Sequence, residues 1–189
     1  MDCTEKTISK NLIYKGRILD LYKDEIELPD GSKSNREYVH HTGGASVLAI
    51  DSDDYVYLVE QYRYPYHTNT LEIPAGKLNV GESAQQCAVR ELKEEVGLCA
   101  NSIQDWGWIY PTPAYTDEPL HIFFTDDFTL STSQLDEGEF LNVKKIKLSD
   151  CLDMIENGTI KDAKTVVAIL RTALIKTKTK IDPILNNKK

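Results

Sequence analysis

Residues 45–50 read Ala-Ser-Val-Leu-Ala-Ile, apolar at nearly every position. Such a run, with almost no alternation, predicts a strand covered on both faces. Elsewhere apolar and polar residues alternate and predict strands with one wet face. Ile26 and Leu28 alternate with charge, Pro29-Asp30-Gly31 signals a turn, and 34–41 returns, so 4–41 reads as a small antiparallel β unit. Further strands are expected at 55–62, at 103–110 around Trp106 and Trp108, at 120–124 and at 140–148. Helical spacing appears three times. After Ser83, a capping hydroxyl, Ala88, Val89, Leu92 and Val96 make one apolar stripe, and Gly97 supplies a stop. Ser149 is expected to cap a helix through Ile155 that Asn157-Gly158 ends. Asp162 opens another, with Val166, Val167, Ile169, Leu170, Ala173 and Leu174 as its buried face, and the basic tail 176–189 is expected to fray. The predicted elements divide into an N-terminal β unit (1–42) and a main domain (43–189).

Composition narrows the partners. A net charge of −8 over 189 residues argues against nucleic acid or an acidic membrane as the main partner. No apolar run is long enough to span a bilayer, and 1–10 has no signal-peptide core. Cys3, Cys87, Cys99 and Cys151 lack Cys-x-x-Cys spacing and read as reduced thiols of a cytoplasmic protein. The N-terminal unit has few large apolar residues for its length. It therefore calls for a partner surface, and a homodimer is expected.

The chemistry concentrates around 76–98. Glu91 and Glu95 stand one helical turn apart, with Glu94 and Arg90 beside them. Clustered carboxylates repel one another unless cations neutralise them, and hard oxygens suit Mg²⁺, with Mn²⁺ as a substitute. Upstream, Glu72 sits between Leu71 and Ile73 and needs a partner if buried; Arg63 is the candidate.

This stretch resembles the Nudix box, Gly-x5-Glu-x7-Arg-Glu-apolar-x-Glu-Glu-x-Gly-apolar. Every specified position is filled: Gly76, Glu82, Arg90, Glu91, Leu92, Glu94, Glu95, Gly97 and Leu98. The resemblance implies an α/β/α sandwich with a mixed sheet and metal-dependent hydrolysis of a nucleoside diphosphate linked to another moiety. It also implies roles: Glu91, Glu95 and the Ala75 carbonyl as metal ligands, Glu94 as a further ligand, Glu82 as a nearby acid, and Arg90 orienting the carboxylates.

The flanks resemble the ADP-ribose pyrophosphatase branch of that family. The carriers are Gln61-Tyr62-Arg63-Tyr64-Pro65 before Leu71-Glu72-Ile73-Pro74-Ala75-Gly76, then Pro113 sixteen residues after Gly97, and an acidic loop from Leu135 to Phe140. The branch's Ser-Pro-Gly marker reads Thr112-Pro113-Ala114 here. The resemblance implies hydrolysis of ADP-ribose to AMP and ribose 5-phosphate. It implies a catalytic carboxylate from Glu137 or Glu139, and Arg63, Tyr38, Arg36, Glu72 and Pro113 as substrate contacts. It also implies N-terminal β units exchanged between two subunits. Another nucleoside diphosphate sugar, such as GDP-mannose, is the alternative substrate. A non-catalytic sensor of the same fold is disfavoured because no acid of the box is lost.

Overall fold

A computed structural model describes residues 2–135 and 137–186, with side chains through 179. Asp136 of the expected acidic loop and the last three residues of the basic tail lie outside the described residues. Contacts divide the chain into two compact units. One runs to Gly43 and takes back Tyr110–Pro119; the other holds Gly44–Ile109 and the chain from Leu120 onward.

The first unit is an antiparallel sheet of β1 (Lys6–Ser9), β2 (Leu12–Lys15), β3 (Leu19–Glu27) and β4 (Lys33–His41). β1 and β2 share one edge of β3, and β4 runs along the other. Gly31, at φ +83°, turns the β3–β4 hairpin where Pro29-Asp30-Gly31 predicts it. The unit is poor in buried apolar residues rather than in apolar residues as such: Ile8, Leu12, Ile13, Tyr14, Ile18 and Leu19 are all exposed. The returning segment 110–119 is bonded to β4. Val39 N–H donates to Tyr115 O (2.8 Å), and Asp117 N–H donates to Val39 O (3.2 Å). His40 Nδ1 lies 2.6 Å from Asp117 Oδ2 and His41 Nδ1 3.2 Å from Glu118 Oε1, so each histidine meets an acid of this segment.

The second unit contains β5 (Gly44–Ile50), β6 (Tyr55–Arg63), β7 (Thr68–Glu72), β8 (Ala75–Lys77), α1 (Ala84–Glu91), β9 (Leu98–Ala100), β10 (Gln104–Ile109), β11 (Leu120–Thr125), β12 (Phe128–Leu130), β13 (Leu141–Lys147), α2 (Leu148–Glu156) and α3 (Ala163–Asn186). The main sheet runs β10-β11-β5-β6-β13, with β7 on β6 and β8 on β5. β11 and β5 pair in parallel and the other pairs antiparallel, so the sheet is mixed.

β5 is buried at all seven residues because helices cover both faces. On one side Leu48, Ile50, Val56, Leu58 and Ile73 pack with Cys151, Ala168 and Ile169 of α2 and α3. On the other, Val47, Val59 and Phe123 pack with Cys87, Ala88 and Leu92 at α1. This is the expected α/β/α sandwich. Among the described residues no helix is long and apolar enough to cross a membrane.

Five local readings change. Cys87 rather than Val89 joins the buried face of α1. Short strands β9 and β12 pair where 126–138 reads only as polar. Lys147, not Ser149, holds the N-cap position of α2, and the Ser149 hydroxyl bonds Asp150 Oδ1 instead (3.1 Å). α3 continues past 176 to Asn186, with Thr177 Oγ1 and Thr179 Oγ1 bonding back to Ala173 O (2.8 Å) and Ile175 O (3.0 Å). Its buried face is Lys164, Thr165, Ala168, Ile169 and Thr172, while Val167, Leu170 and Leu174 are exposed.

Candidate active site

Helix α1 begins as its sequence predicts. Ser83 Oγ accepts from Gln86 N–H (3.2 Å), and Ser83 N–H donates to the Gln86 amide oxygen (2.9 Å), a reciprocal cap worth about 1 kcal/mol. Past Glu91 the helix widens into a π turn, Leu92–Val96, closed by Gly97 at φ +72°. Such turns recur at functional sites, and this one carries Glu94 and Glu95.

Arg90 organises three of the acids. Its Nε donates to Glu82 Oε1 (2.8 Å), its Nη2 to Glu82 Oε2 (3.1 Å), and its Nη1 to both Glu91 Oε1 (2.6 Å) and Glu94 Oε2 (2.8 Å). Glu82's hydrogen bonds are the largest influence on Arg90 and raise its pKa further. Glu95, only 2% exposed, lies outside this set and accepts the Ala75 N–H (3.0 Å). Burial first, then the charge of Glu91, push its pKa up to about 8 against that hydrogen bond. Burial raises Glu91 as well, with Arg90 opposing.

The fit to a divalent cation rests on Gly76. A Cβ there would sit 1.6 Å from Glu91 Oε1, so only glycine lets the Glu91 carboxylate lie against this backbone. Glu95 holds the adjoining Ala75 N–H. The Ala75-Gly76 backbone thus joins two buried carboxylates that lack enough positive charge, and the donors are all hard oxygen. That chemistry suits Mg²⁺ or Mn²⁺. Among the described residues no three acids, histidines or cysteines form a ready-made cage, because Arg90 already holds Glu91 and Glu94.

A second cluster surrounds Glu72, 3% exposed at the end of β7. Arg63 forks onto it through Nε (2.6 Å) and Nη2 (2.7 Å), the expected pairing. Thr70 Oγ1 donates to Glu72 Oε1 (2.6 Å), and Lys164 Nζ donates to Oε2. Burial pushes the Glu72 carboxyl up, but the Arg63 hydrogen bonds and the charges of Lys164 and Arg63 outweigh it and hold the pKa at about 2. Lys164 and Glu72 are both buried, and breaking such a pair costs about 3–5 kcal/mol; the Arg63 pair is worth less because water screens its 39% accessible side chain. Lys164 was not foreseen from the sequence. The one available signal is its place just after Asp162, the residue expected to open the helix.

Of the remaining candidates, Arg36, Tyr38 and Pro113 lie in the first unit. Arg36 pairs with Glu5, Tyr38 stacks on Tyr22 (centroids 5.3 Å, planes 11° apart), and Pro113 is exposed in a turn. In the acidic loop Glu137 is exposed and Glu139 half-buried. The charge of Glu139 raises the pKa of both Glu91 and Glu95. Glu139 also lines a cavity of about 350 Å³ together with Glu60, Tyr62, Asn69, Phe140 and Asn142.

Residues 40–168 match the model of the NUDIX domain. The chain belongs to the Nudix hydrolase family. Residues 5–39 match a second model, described as a nucleoside diphosphate sugar hydrolase N-terminal domain. This Nudix hydrolase is 40% identical over 167 residues to an ADP-ribose pyrophosphatase of Bacillus subtilis, covering 87% of this chain and 90% of that one. It is 38% identical over 168 residues to a methanol dehydrogenase activator of Bacillus methanolicus, with the same 87% and 90% coverage. A crystal structure of an ADP compounds hydrolase superposes with a TM-score of 0.78 at 24% identity, covering 92% of this chain and 96% of that one, which speaks for the fold. Nudix hydrolases generally need a divalent cation.

Proposed function

We propose that this Nudix hydrolase cleaves the diphosphate of ADP-ribose with water, giving AMP and ribose 5-phosphate, with Mg²⁺ as cation and Mn²⁺ as substitute. The observation that carries the reading is the Gly76 cradle, where Glu91 lies against the backbone and Glu95 holds the neighbouring N–H. The similarity to the Bacillus subtilis ADP-ribose pyrophosphatase supports the substrate.

Glu91, Glu95, Glu94 and the Ala75 carbonyl are the residues that would hold the cation. When bound, a divalent cation offsets charge on the diphosphate oxygens and makes a water more acidic. Arg90 keeps Glu82, Glu91 and Glu94 in place. Arg63, forked onto Glu72 through Nε and Nη2, presents Nη1 to a phosphate oxygen. Glu139 takes the proton of the attacking water as its oxygen bonds to phosphorus and the bridging P–O bond breaks. Tyr38, backed by Tyr22, stacks on the base, with Arg36 and Pro113 shaping its surroundings.

Two experiments test the reading. In a hydrolysis panel with Mg²⁺ and Mn²⁺, ADP-ribose is expected to give the highest kcat/KM, with AMP as product. Preferential hydrolysis of GDP-mannose overturns the choice of substrate, and no hydrolysis at all favours a sensor. The exposed apolar residues of the first unit support a homodimer that covers them with a second copy's N-terminal unit. Light scattering at micromolar concentration should give twice the 21.4 kDa chain mass; a fully active monomer contradicts the pairing.

A further inference from the structure

Of the six residues that apolar periodicity would bury on helix α3, Ile169 is buried and Val166 packs against the core, but one stripe turns outward. Val167, Leu170 and Leu174 are 39%, 47% and 55% exposed, while Lys164 and Thr165 are 7% and 0% exposed. Hydrophobic burial alone would favour a rotation that turned more of this stripe inward. A buried lysine in the first turn of a helix is unfavourable twice over, through lost hydration and through the positive end of the helix dipole.

Polar bonds hold α3 in this register. Asp162 Oδ2 accepts the Thr165 N–H (3.0 Å) and hydroxyl (2.6 Å), and Asp162 Oδ1 accepts Lys164 Nζ (3.0 Å). Thr165 Oγ1 in turn accepts the Ile73 N–H (2.8 Å), and Lys164 Nζ reaches Glu72 Oε2. A helix that leaves an apolar stripe in water to place two polar side chains breaks the local rules in the way functional constraints do.

Those side chains act on the segment that carries Glu72, and through it on Arg63. Both Glu72 oxygens are clamped, Oε1 by Arg63 Nε and Thr70, Oε2 by Arg63 Nη2 and Lys164. With the carboxylate plane fixed, the coplanar guanidinium fork is fixed too, and Nη1 points away from Glu72. Arg63 is also the exposed member of the set, its side chain 39% accessible against 4% for Glu72 and 8% for Lys164.

We propose that Lys164 is a positioning residue for substrate binding: by clamping Glu72 it aims Arg63 at the diphosphate. The inference rests on the reading that Arg63 meets the phosphate oxygens. It brings α3, on the opposite face of the sheet from α1, into the substrate site of this Nudix hydrolase.

The test is steady-state kinetics with ADP-ribose and Mg²⁺ on Arg63→Ala, Lys164→Met, Lys164→Gln and the double variant Arg63→Ala/Lys164→Met, each checked by thermal melting. Arg63→Ala should raise KM. Lys164→Met should raise KM roughly tenfold with kcat little changed, as for loss of an outer partner that orients a contact residue. Lys164→Gln, which still donates one hydrogen bond, should fall between, and it stands in if Lys164→Met fails to fold. In the Arg63→Ala background Lys164→Met should add nothing, since it acts through Arg63. If Arg63→Ala raises KM and neither Lys164 variant does, Lys164 is a structural anchor only and the inference falls while the reading of Arg63 stands. If Arg63→Ala leaves KM unchanged, both fall. Additive effects, or a loss confined to kcat, also overturn the inference.

Discussion

Replacing Glu95 by glutamine is expected to lower kcat by about 10³-fold or more, on the scale of losing a group preorganised for the transition state, while the protein remains folded. The geometry separates the two outcomes. Glu95 is 2% exposed and makes one hydrogen bond from Ala75 N–H, which a glutamine carbonyl still accepts. Burial, Glu91 and Glu139 oppose its charge and outweigh the attraction of Lys164. Glutamine relieves that repulsion, so the melting midpoint in metal-free buffer should equal or exceed wild type, a trade of activity against stability. Mg²⁺ should raise the wild-type midpoint by binding the native state and raise that of Glu95→Gln far less. A folded Glu95→Gln protein with wild-type kcat removes Glu95 from the cation site.

The second large effect belongs to the acidic loop. Glu139→Gln is expected to lower kcat by about 10²-fold or more, as for a lost general base, with KM little changed. Glu137→Gln should leave kcat near wild type, and the double variant should be nearly inactive. The sequence slightly favours Glu139, which adjoins the following strand; the structure supports it too, because it is the half-buried one and its charge is felt by Glu91 and Glu95. A dead double variant with two active single variants means that the acids substitute for each other. A double variant with near-normal kcat places the base elsewhere, with Glu82 and Glu94 next in line.

The parts of the site legible in the sequence are those whose chemistry fixes spacing. One arginine reaching Glu82, Glu91 and Glu94 requires those residues at set offsets along a helix and the loop before it. Gly76 is required because the Glu91 carboxylate lies where any side chain would be. The pairing of Arg63 with Glu72 is legible for a similar reason, since an acid between Leu71 and Ile73 needs a cation.

Reading by apolar periodicity places Ile169 correctly but fails at Val167, Leu170 and Leu174, because it assumes that apolar burial alone sets the rotation of α3. Here the rotation follows Lys164 and Thr165, whose partners lie 92 positions earlier in the chain. No local window contains both ends of those bonds. Ser149 misleads for the opposite reason: a good capping residue is locally persuasive, but the cap falls two positions earlier, at Lys147, and leaves the Ser149 hydroxyl to Asp150. Strands β9 and β12 have three residues each, too few to show an alternation.

The return of 110–119 to β4 also has a consequence for the order of synthesis. The N-terminal sheet is made before the segment that completes it, and domains generally fold as units in the order of synthesis. Yet Val39 gains its partners at Tyr115 and Asp117, and His40 its own at Asp117, only after some 75 further residues have been made. Until then the outer edge of β4 is an unpaired strand beside exposed apolar side chains, the kind of surface on which nascent chains mispair. The N-terminal sheet of this hydrolase is therefore completed late, after the whole 76–98 stretch that carries the clustered acids has been made.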